Sequence, residues 1–386
     1  MTFHPDPHIG VLAGEASGDL LGGGLITALR QTFPALTCTG IGGPAMQSAG
    51  FESRHVMERL SVMGIIDPLK RLPELIRIRR DMLRYFLRER PDVFIGIDSP
   101  DFNLGLEIPL KEAGIPVIHY VCPSVWAWRQ KRVFKIARAT DLVLTLFPFE
   151  VDFYKKYNVP ARFVGHPLAD QIPLDTDKNA ARAALGIDPD ALCLAILPGS
   201  REGECRQMFP LFLAAAARCR RQHPKLCIIS ASANDARQAE LQALCRQHAP
   251  DLSVQIVRQA AQTVMTAADA VLVTSGTATL ETMLCGRPMV IAYRMSSLIY
   301  PLIRPMIKIP WVGLPNLLAG EKIVPEFIQA EATPENLSDA LLNFLNTPEK
   351  TEPLLMRFKE IHRRLRCGAS TEAARAVIQL INREPV

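Results

Sequence analysis

An aspartate, Asp98, directly follows an apolar, β-branched run at residues 93–97. A carboxylate at the end of a buried strand loses part of its hydration, which raises its pKa and lets it accept a proton. A sugar hydroxyl that attacks an activated anomeric carbon needs such a general base. We therefore interpret Asp98 as a candidate catalytic base. The alternative is a carboxylate that caps a helix, a role that suits Asp101 better.

Two turns in the second half of the chain combine glycine with hydroxyl or charged residues after an apolar run. They are residues 199–201 and 275–281. Free N–H groups at a helix start bind phosphate oxygens, Arg201 can add a bidentate contact, and Glu281 can accept from ribose hydroxyls. Both turns are typical of a nucleotide site. An ion pair of Arg201 with a neighbouring glutamate, and an ordinary acidic helix start, remain the alternatives.

A third turn of small residues, 13–19, follows the first apolar run of the chain. Small residues allow a ligand to approach the backbone closely. The turn lacks the G-x-G-x-x-G spacing of dinucleotide sites, which argues against a nicotinamide dehydrogenase. The alternative interpretation is a plain strand-to-helix turn with Ser17 or Asp19 as the helix N-cap.

The elements that must position these residues are short apolar strands separated by helical patterns. Continuous apolar strands between helices are typical of a parallel sheet covered on both faces, so the fold class is α/β. Ligands in such sheets bind beyond the carboxyl ends of the strands, where these turns lie. The strands are predicted at residues 8–13, 93–97, 116–120, 141–145, 192–197, 225–230, 253–257, 270–274 and 289–292.

The pattern of strands and helices restarts after a polar stretch at residues 170–179. We therefore predict two Rossmann-like, doubly wound domains that face a central cleft, the GT-B arrangement. The boundaries are 1–170 for an acceptor-binding domain and 171–345 for a nucleotide-sugar-binding domain. Residues 346–386 are predicted to be helices that pack on either domain.

The composition agrees with a globular chain of two domains, because 386 residues exceed the usual size of one hydrophobic core. Nine cysteines without a C-x-x-C pair indicate reduced thiols in a cytoplasmic protein and disfavour zinc. The most apolar later stretch, 295–318, contains four prolines besides Arg304 and Lys308, so it is not expected to span a membrane.

Taken together, the motifs resemble the lipid-A-disaccharide synthase family, whose order they follow over nearly the whole chain. Each motif alone has low specificity, and the resemblance depends on their combination. The motifs that carry it are residues 14–19, 40–44, 62–64, 97–103, 123–128, 147–150, 164–167, 197–201, 275–281 and 314–316.

The resemblance implies that the chain joins UDP-2,3-diacylglucosamine to 2,3-diacylglucosamine 1-phosphate, with inversion at the anomeric carbon and release of UDP. It implies Asp98 as the base, and it implies neither a metal nor another cofactor. Residues expected to bind the nucleotide sugar are Gly199, Ser200, Arg201, Ser275, Gly276, Thr277, Thr279, Glu281 and Asn316. Residues expected on the acceptor side are Glu15, Ser17, Gly18 and Asn103.

Residues 61–91 mix basic and apolar side chains, a combination that suits an anionic bilayer surface. For residues 82–87 we prefer the alternative, a helix packed on its own sheet. We therefore expect a cytoplasmic, peripheral protein on the inner face of the inner membrane, and the resemblance suggests a homodimer. The predicted membrane contacts are Ile65, Ile66, Leu69, Leu72, Leu75 and Ile76.

Two other functions remain open from the residues alone. One is a different UDP-N-acetylglucosamine enzyme of the same fold, a 2-epimerase or a transferase of cell-wall synthesis, whose turnover would not depend on acyl chains. The other is a nucleotide-binding membrane adaptor without catalysis, in which Asp98 has no role. Nucleic-acid binding is not expected, because the basic residues are mixed with apolar ones rather than with exposed aromatic ones.

Overall fold

The computed structural model describes residues 6–60, 66–121, 125–128, 130–296 and 300–384. The strands are β1 His8–Ala13, β2 Thr37–Ile41, β3 Glu52–Ser53, β4 Val93–Ile97, β5 Val117–Tyr120, β6 Leu142–Thr145, β7 Ala161–Phe163, β8 Cys193–Leu197, β9 Cys227–Ser232, β10 Gln255–Arg258, β11 Ala270–Thr274, β12 Met289–Tyr293 and β13 Glu326–Ile328. The α-helices are α1 Ala16–Thr32, α2 Pro44–Ser48, α3 Ile66–Glu89, α4 Pro100–Glu112, α5 Val133–Ala139, α6 Pro148–Lys155, α7 Pro167–Gln171, α8 Lys178–Leu185, α9 Glu202–Gln222, α10 Asp235–His248, α11 Ala261–Ala267, α12 Thr277–Leu284, α13 Tyr300–Ile303, α14 Leu314–Ala319, α15 Pro334–Asn346, α16 Glu352–Leu365 and α17 Ala369–Ile381.

The first unit contains a parallel sheet with the strand order β3-β2-β1-β4-β5-β6-β7. Side chains alternate between its faces, as the pleat requires. Val11 and Ile95 pack with α1 and α17 on one face, while Leu12 and Phe94 pack with α3 and α4 on the other. Both faces are therefore covered by helices, which explains why the central strands are apolar at every position.

The second unit contains a parallel sheet with the strand order β10-β9-β8-β11-β12-β13. Helices α9 and α15 supply most of the apolar side chains that cover one face, including Phe209, Phe212 and Leu341. The order reverses beside β8, as it does beside β1 in the first unit. The reversal makes a crevice at the carboxyl edge of each sheet, and crevices of this kind bind ligands in doubly wound folds.

The last two helices of the chain, α16 and α17, belong to different structural units. One unit runs to Asp170 and is rejoined by the chain from Leu365 onward, and the other unit is Gln171–Arg364. The predicted second domain stopped at residue 345, whereas the unit continues through almost all of α16. Helix α17 packs on α1, because its buried alanines and Val377 complete the core on that face.

The nine strands listed from the sequence are present in the structure, and β2, β13 and the short edge strands β3 and β7 are additional to that list. Residues 82–87 lie on α3, where Met82 and Phe86 are fully buried against the sheet, as the packed-helix interpretation requires. Among the described helices, none combines the length and the apolar character that a membrane-spanning segment needs.

Candidate active site

Asp98 occupies a strained backbone at the carboxyl end of β4. Both Asp98 and Ser99 have a left-handed backbone, with φ of 48° and 45°. Such a conformation costs about 1–3 kcal/mol for a non-glycine residue and persists only where the surroundings hold it. The N–H of Asp98 donates to the carbonyl of Tyr120 at 2.9 Å, and its own carbonyl accepts from Asn103 Nδ2 at 2.7 Å. This kink directs the chain from the strand into α4.

The Asp98 side chain lines a cavity of about 410 Å³ in the first unit. Burial raises the pKa of the Asp98 carboxyl above its ordinary value, with opposing contributions from the backbone of Ser99 and from His119. A carboxylate with a raised pKa that faces a cavity can act as a general base. The other lining residues are Glu15, Leu60, Leu72, Leu75, Ile76, Arg79, Ser99, Pro100, Asp101 and Phe102.

The residues that line this cavity are both apolar and charged. Arg79 reaches it from α3 and forms no ion pair with any described residue. Its guanidinium lies against α4 at Gly105, where an added Cβ would come within 2.6 Å of Nη1. A side chain at position 105 would therefore displace it. The cavity combines a carboxylate, a free guanidinium and apolar side chains.

The predicted acceptor-side residues lie at different depths. Glu15 lines the Asp98 cavity, and Ser17 is exposed on the first turn of α1. Gly18 is buried where α1 crosses β1 and β4, so it has a packing role in this structure. Asn103 is fully buried, and its amide nitrogen donates to the carbonyls of Ile97 and Asp98. These two hydrogen bonds help to fix the backbone conformation of Asp98.

Asp19 does not cap its own helix. Its buried carboxylate accepts from the N–H groups of Gly43, Ala45 and Met46 at 2.8, 2.9 and 3.0 Å. These N–H groups belong to the start of α2. Asp19 thus fastens the turn after β2 to α1, and the α2 N-terminus has no free donors there for a ligand.

A second cavity, of about 600 Å³, lies at the carboxyl edge of the sheet in the second unit. Most residues of the two predicted nucleotide turns line it. These are Gly199, Ser200, Arg201, Ser275, Gly276, Thr277, Ala278 and Glu281.

Backbone geometry explains the glycines of this cavity. Gly199 has φ of 110°, and an added Cβ would come within 2.5 Å of the Glu204 carboxylate. Gly276 has φ of 148° with open space beside it. Helices α9 and α12 begin directly after these turns, so their free N–H groups point toward the cavity. This arrangement favours an anionic ligand such as a pyrophosphate.

The charged side chains of the second cavity differ in burial. Arg201 is exposed, and its guanidinium pairs with Glu204 Oε1 at 2.9 Å, which is the ion pair that the sequence left open. A surface pair of this kind contributes little stability, so the guanidinium can turn to a ligand at little cost. Burial raises the pKa of the Glu281 carboxyl.

Two of the predicted nucleotide ligands are part of the scaffold in this structure. Thr279 is fully buried, and its hydroxyl donates to the carbonyl of Gly276 at 2.8 Å. Asn316 is also fully buried; its Nδ2 donates to Val324 O and Glu326 Oε1, and its Oδ1 accepts from two backbone N–H groups. An amide has no further capacity for a nucleotide once these bonds are made.

The second cavity also contains residues that the sequence analysis missed. Ser232 ends β9 and Gln259 follows β10, and the N–H of Gln259 donates to the carbonyl of Ser232 at 2.9 Å. Gln262 lies one residue into α11. The signal that could have found them is their place just after predicted strands.

The structure describes the side chains of only three of the six predicted membrane contacts, Leu72, Leu75 and Ile76. Ile65 lies outside the described residues, as do the side chains of Ile66 and Leu69. The Leu72 residue is 48% exposed, and Leu75 and Ile76 line the Asp98 cavity.

The sequence contains two D-x-D pairs, at residues 175–177 and 188–190, of a type that binds metal ions in some glycosyltransferases. In this structure they stabilise turns and the start of a helix. Asp177 caps α8 by accepting from the N–H of Ala180, and Asp188 accepts from the N–H of Asp190. Asp175 pairs with Lys359. Across the described ranges, no group of three or more His, Cys, Asp or Glu side chains could hold a metal ion.

Comparison with known families gives a match over almost the full chain. The family model described as lipid-A-disaccharide synthetase matches residues 9–377. The lipid-A-disaccharide synthase of Sodalis glossinidius (strain morsitans) is 52% identical over 375 residues, with 97% of this chain and 98% of the relative covered. The enzyme of the same name from Pectobacterium atrosepticum is 49% identical over 373 residues, with 97% of each covered.

Solved structures with the same fold are much more distant in sequence. Anabaena HepE in complex with UDP and glucose aligns with a TM-score of 0.59 at 13% identity, covering 98% of this chain and 100% of that one. UDP-GlcNAc 2-epimerase from Neisseria meningitidis bound to UDP-GlcNAc aligns with a TM-score of 0.62 at 10% identity, with 98% and 100% covered. These likenesses confirm the fold class of two parallel-sheet α/β domains.

Proposed function

The chain belongs to the lipid-A-disaccharide synthetase family and is a glycosyltransferase of lipid A synthesis; from this premise we propose how its two cavities perform the reaction. The donor is UDP-2,3-diacylglucosamine and the acceptor is 2,3-diacylglucosamine 1-phosphate. The observation that carries the proposal is the left-handed kink that sets the half-buried Asp98 against a cavity lined by Arg79 and apolar side chains. Such a cavity suits an acylated sugar phosphate.

The second cavity binds the nucleotide half of the donor. The N–H groups at the starts of α9 and α12 receive the pyrophosphate, and Arg201 exchanges Glu204 for a phosphate oxygen. Glu281 accepts from the ribose hydroxyls. The likeness to proteins solved with UDP or UDP-GlcNAc supports this assignment.

The acceptor lies in the Asp98 cavity. Its 6-hydroxyl faces Asp98, its 1-phosphate pairs with Arg79, and its acyl chains contact Leu72, Leu75 and Ile76. Arg79 is suited to this role because its charge has no ion-pair partner among the described residues. A guanidinium binds a phosphate in a planar, bidentate manner, which a lysine cannot reproduce.

The reaction is a single displacement with inversion. Asp98 takes the proton of the acceptor hydroxyl while its oxygen forms a bond to the donor anomeric carbon. The bond from that carbon to the β-phosphate oxygen breaks, and the electron pair leaves with UDP. The helix starts and Arg201 stabilise the charge that develops on the leaving group. The products are a β-1,6-linked disaccharide 1-phosphate and UDP.

The chain works at the membrane surface in the cytoplasm, where its acylated substrates are embedded. Support comes from α3, whose exposed Leu72 lies among the exposed Arg77, Arg80 and Arg84. Exposed apolar and basic side chains on one helix favour an anionic bilayer surface.

The test of this function is product analysis with the purified full chain. Incubation with both acylated substrates is expected to give a disaccharide monophosphate by mass spectrometry and a β-anomeric linkage by NMR. UDP-N-acetylglucosamine, which has no 3-O-acyl chain, is expected to remain unchanged. Formation of an epimer from it, or the absence of a disaccharide, would contradict the proposal.

A further inference from the structure

A histidine and a glutamate form a completely buried pair that lines neither cavity. His119 on β5 and Glu107 on α4 are both inaccessible to solvent, and Nδ1 of His119 lies 2.7 Å from Oε1 of Glu107. Oε2 of Glu107 has no hydrogen-bond partner in the described part of the chain. Burial of titratable groups usually costs stability relative to apolar side chains of similar size. Such a pair therefore requires a reason other than packing.

The pair lies beside Gly96 of β4, two residues before Asp98. Gly96 of β4 is in register with His119 of β5, and neighbours in register on parallel strands point to the same face. A Cβ at Gly96 would clash with Oε1 of Glu107, so the glycine provides the space that the pair occupies. Asp98 comes two residues after Gly96, just beyond the carboxyl end of β4.

The charges of the three groups act on one another. Burial raises the pKa of Asp98, while the backbone of Ser99 and, after it, the charge of His119 oppose this rise. Burial disfavours the protonated imidazole, but Glu107 and then Asp98 outweigh it and raise the pKa of His119. The charges of Glu107 and Asp98 therefore favour the protonated imidazole, whose Nε2 has no hydrogen-bond partner among the described residues.

The other charged groups around these three come from several elements. Glu15 before α1, Arg79 on α3 and Asp101 on α4 share the cavity with Asp98. Burial raises the pKa of Glu107, and the charges of His119 and of Lys135 on α5 oppose this rise. His119 is the fully buried base of this set, whereas Arg79 lines the cavity.

We propose that His119, oriented by Glu107, is a positioning residue that keeps Asp98 ionised and ready to accept the proton of the acceptor hydroxyl. The inference rests on the proposed function, in which Asp98 is the base. Glu107 holds the ring through Nδ1 and stabilises its positive charge. Without that charge, burial would raise the pKa of Asp98 further, with the backbone of Ser99 as the remaining opposing contribution, so less of the carboxyl would be ionised and able to act as a base.

The experiment is the pH dependence of kcat/KM for acceptor-dependent UDP release, measured for the wild type, His119→Asn and His119→Gln. Both variants keep a polar side chain and remove the charge. The matched control is His8→Asn. His8 is the first residue of β1 in the same sheet, and its Nε2 lies 2.8 Å from the Thr39 hydroxyl. Thermal unfolding establishes that each variant is folded at the assay temperature.

The acid limb of the profile is expected to move to higher pH by on the order of one unit in both His119 variants, since a nearby positive charge lowers the pKa of a carboxyl. His8→Asn is expected to keep the wild-type limb. A rate that falls by the same factor at every pH in the His119 variants would overturn the inference. No acceptor-dependent UDP release by the wild type would instead remove the proposed function.

A second measurement does not depend on the folding of the His119 variants. Histidine labelled with ¹⁵N reports the protonation of each imidazole by NMR in the wild type and in Asp98→Asn. Because the coupling of the two groups is mutual, loss of the Asp98 charge is expected to lower the pKa of one buried histidine. Identical histidine titrations in both proteins would also overturn the inference.

Discussion

Replacement of Asn316 by alanine distinguishes a role of this residue in the scaffold from a role in nucleotide binding. The Asn316 amide donates to Val324 O at 3.0 Å and to Glu326 Oε1 at 2.7 Å. It accepts from the N–H groups of Ile323 and Val324 at 2.8 and 2.9 Å. Each buried group left without a partner costs about 1–3 kcal/mol. Glu326 keeps its bonds from Val312 and Gly313, so we expect a total loss of about 3–5 kcal/mol.

The assay is calorimetry of thermal unfolding with and without UDP. For a unit of this size, each kcal/mol lowers the unfolding midpoint by about 2–4 °C, so a decrease of roughly 6–20 °C is expected for the unit that contains Asn316. UDP affinity of the folded variant is expected to stay within about threefold of the wild type. Asn343→Ala, an exposed asparagine on α15, is the control and is expected to change stability by no more than about 0.5 kcal/mol. A variant with the wild-type midpoint but weak UDP binding would refute the reasoning.

Three further predictions concern the cavities. Arg79→Met is expected to raise the KM for the phosphorylated acceptor about tenfold or more, because a charge-assisted hydrogen bond is lost. Arg84→Met changes an exposed residue of the same helix and is expected to leave this KM unchanged. Equal effects of both variants in steady-state kinetics would contradict the Arg79 assignment. Glu281→Gln is expected to raise the KM for the UDP-sugar with little change for the acceptor, and unchanged donor kinetics would argue against a ribose contact. Because burial raises the pKa of Asp98 and the base must be ionised, kcat/KM is expected to fall with decreasing pH through a midpoint above the ordinary 3.8, and a flat profile down to that value would contradict the assignment.

The strands and the cavities could be predicted from sequence because they follow from local patterns. Continuous apolar runs that end in small or charged residues identify the strands and the turns after them. The edge strands β3 and β7 were missed because they are only 2 and 3 residues long and lack the apolar run of a central strand. The place of α17 depends on a long-range contact with α1, which no local pattern contains.

The roles of individual polar residues were harder to predict, since the type of a residue does not reveal its burial. Asn103 and Asn316 belong to motifs, yet both are fully buried and their amide nitrogens donate to the scaffold. Asp19 looked like a helix cap and instead binds the start of another helix. His119 and Glu107 gave no signal, because an isolated histidine in a strand and a glutamate in a helix are ordinary until the fold brings them together.

The most direct test of the central claim is acceptor-dependent UDP release by Asp98→Asn compared with Asp101→Asn. Both carboxylates line the same cavity three residues apart, but Asp101 is exposed and pairs with Arg132. If Asp98 is the base, its variant is expected to lose about 10²–10⁴ in rate while binding of both substrates persists. The Asp101 variant is expected to stay within a few-fold of the wild type. Full activity of Asp98→Asn, or an equal loss in both variants, would contradict the account.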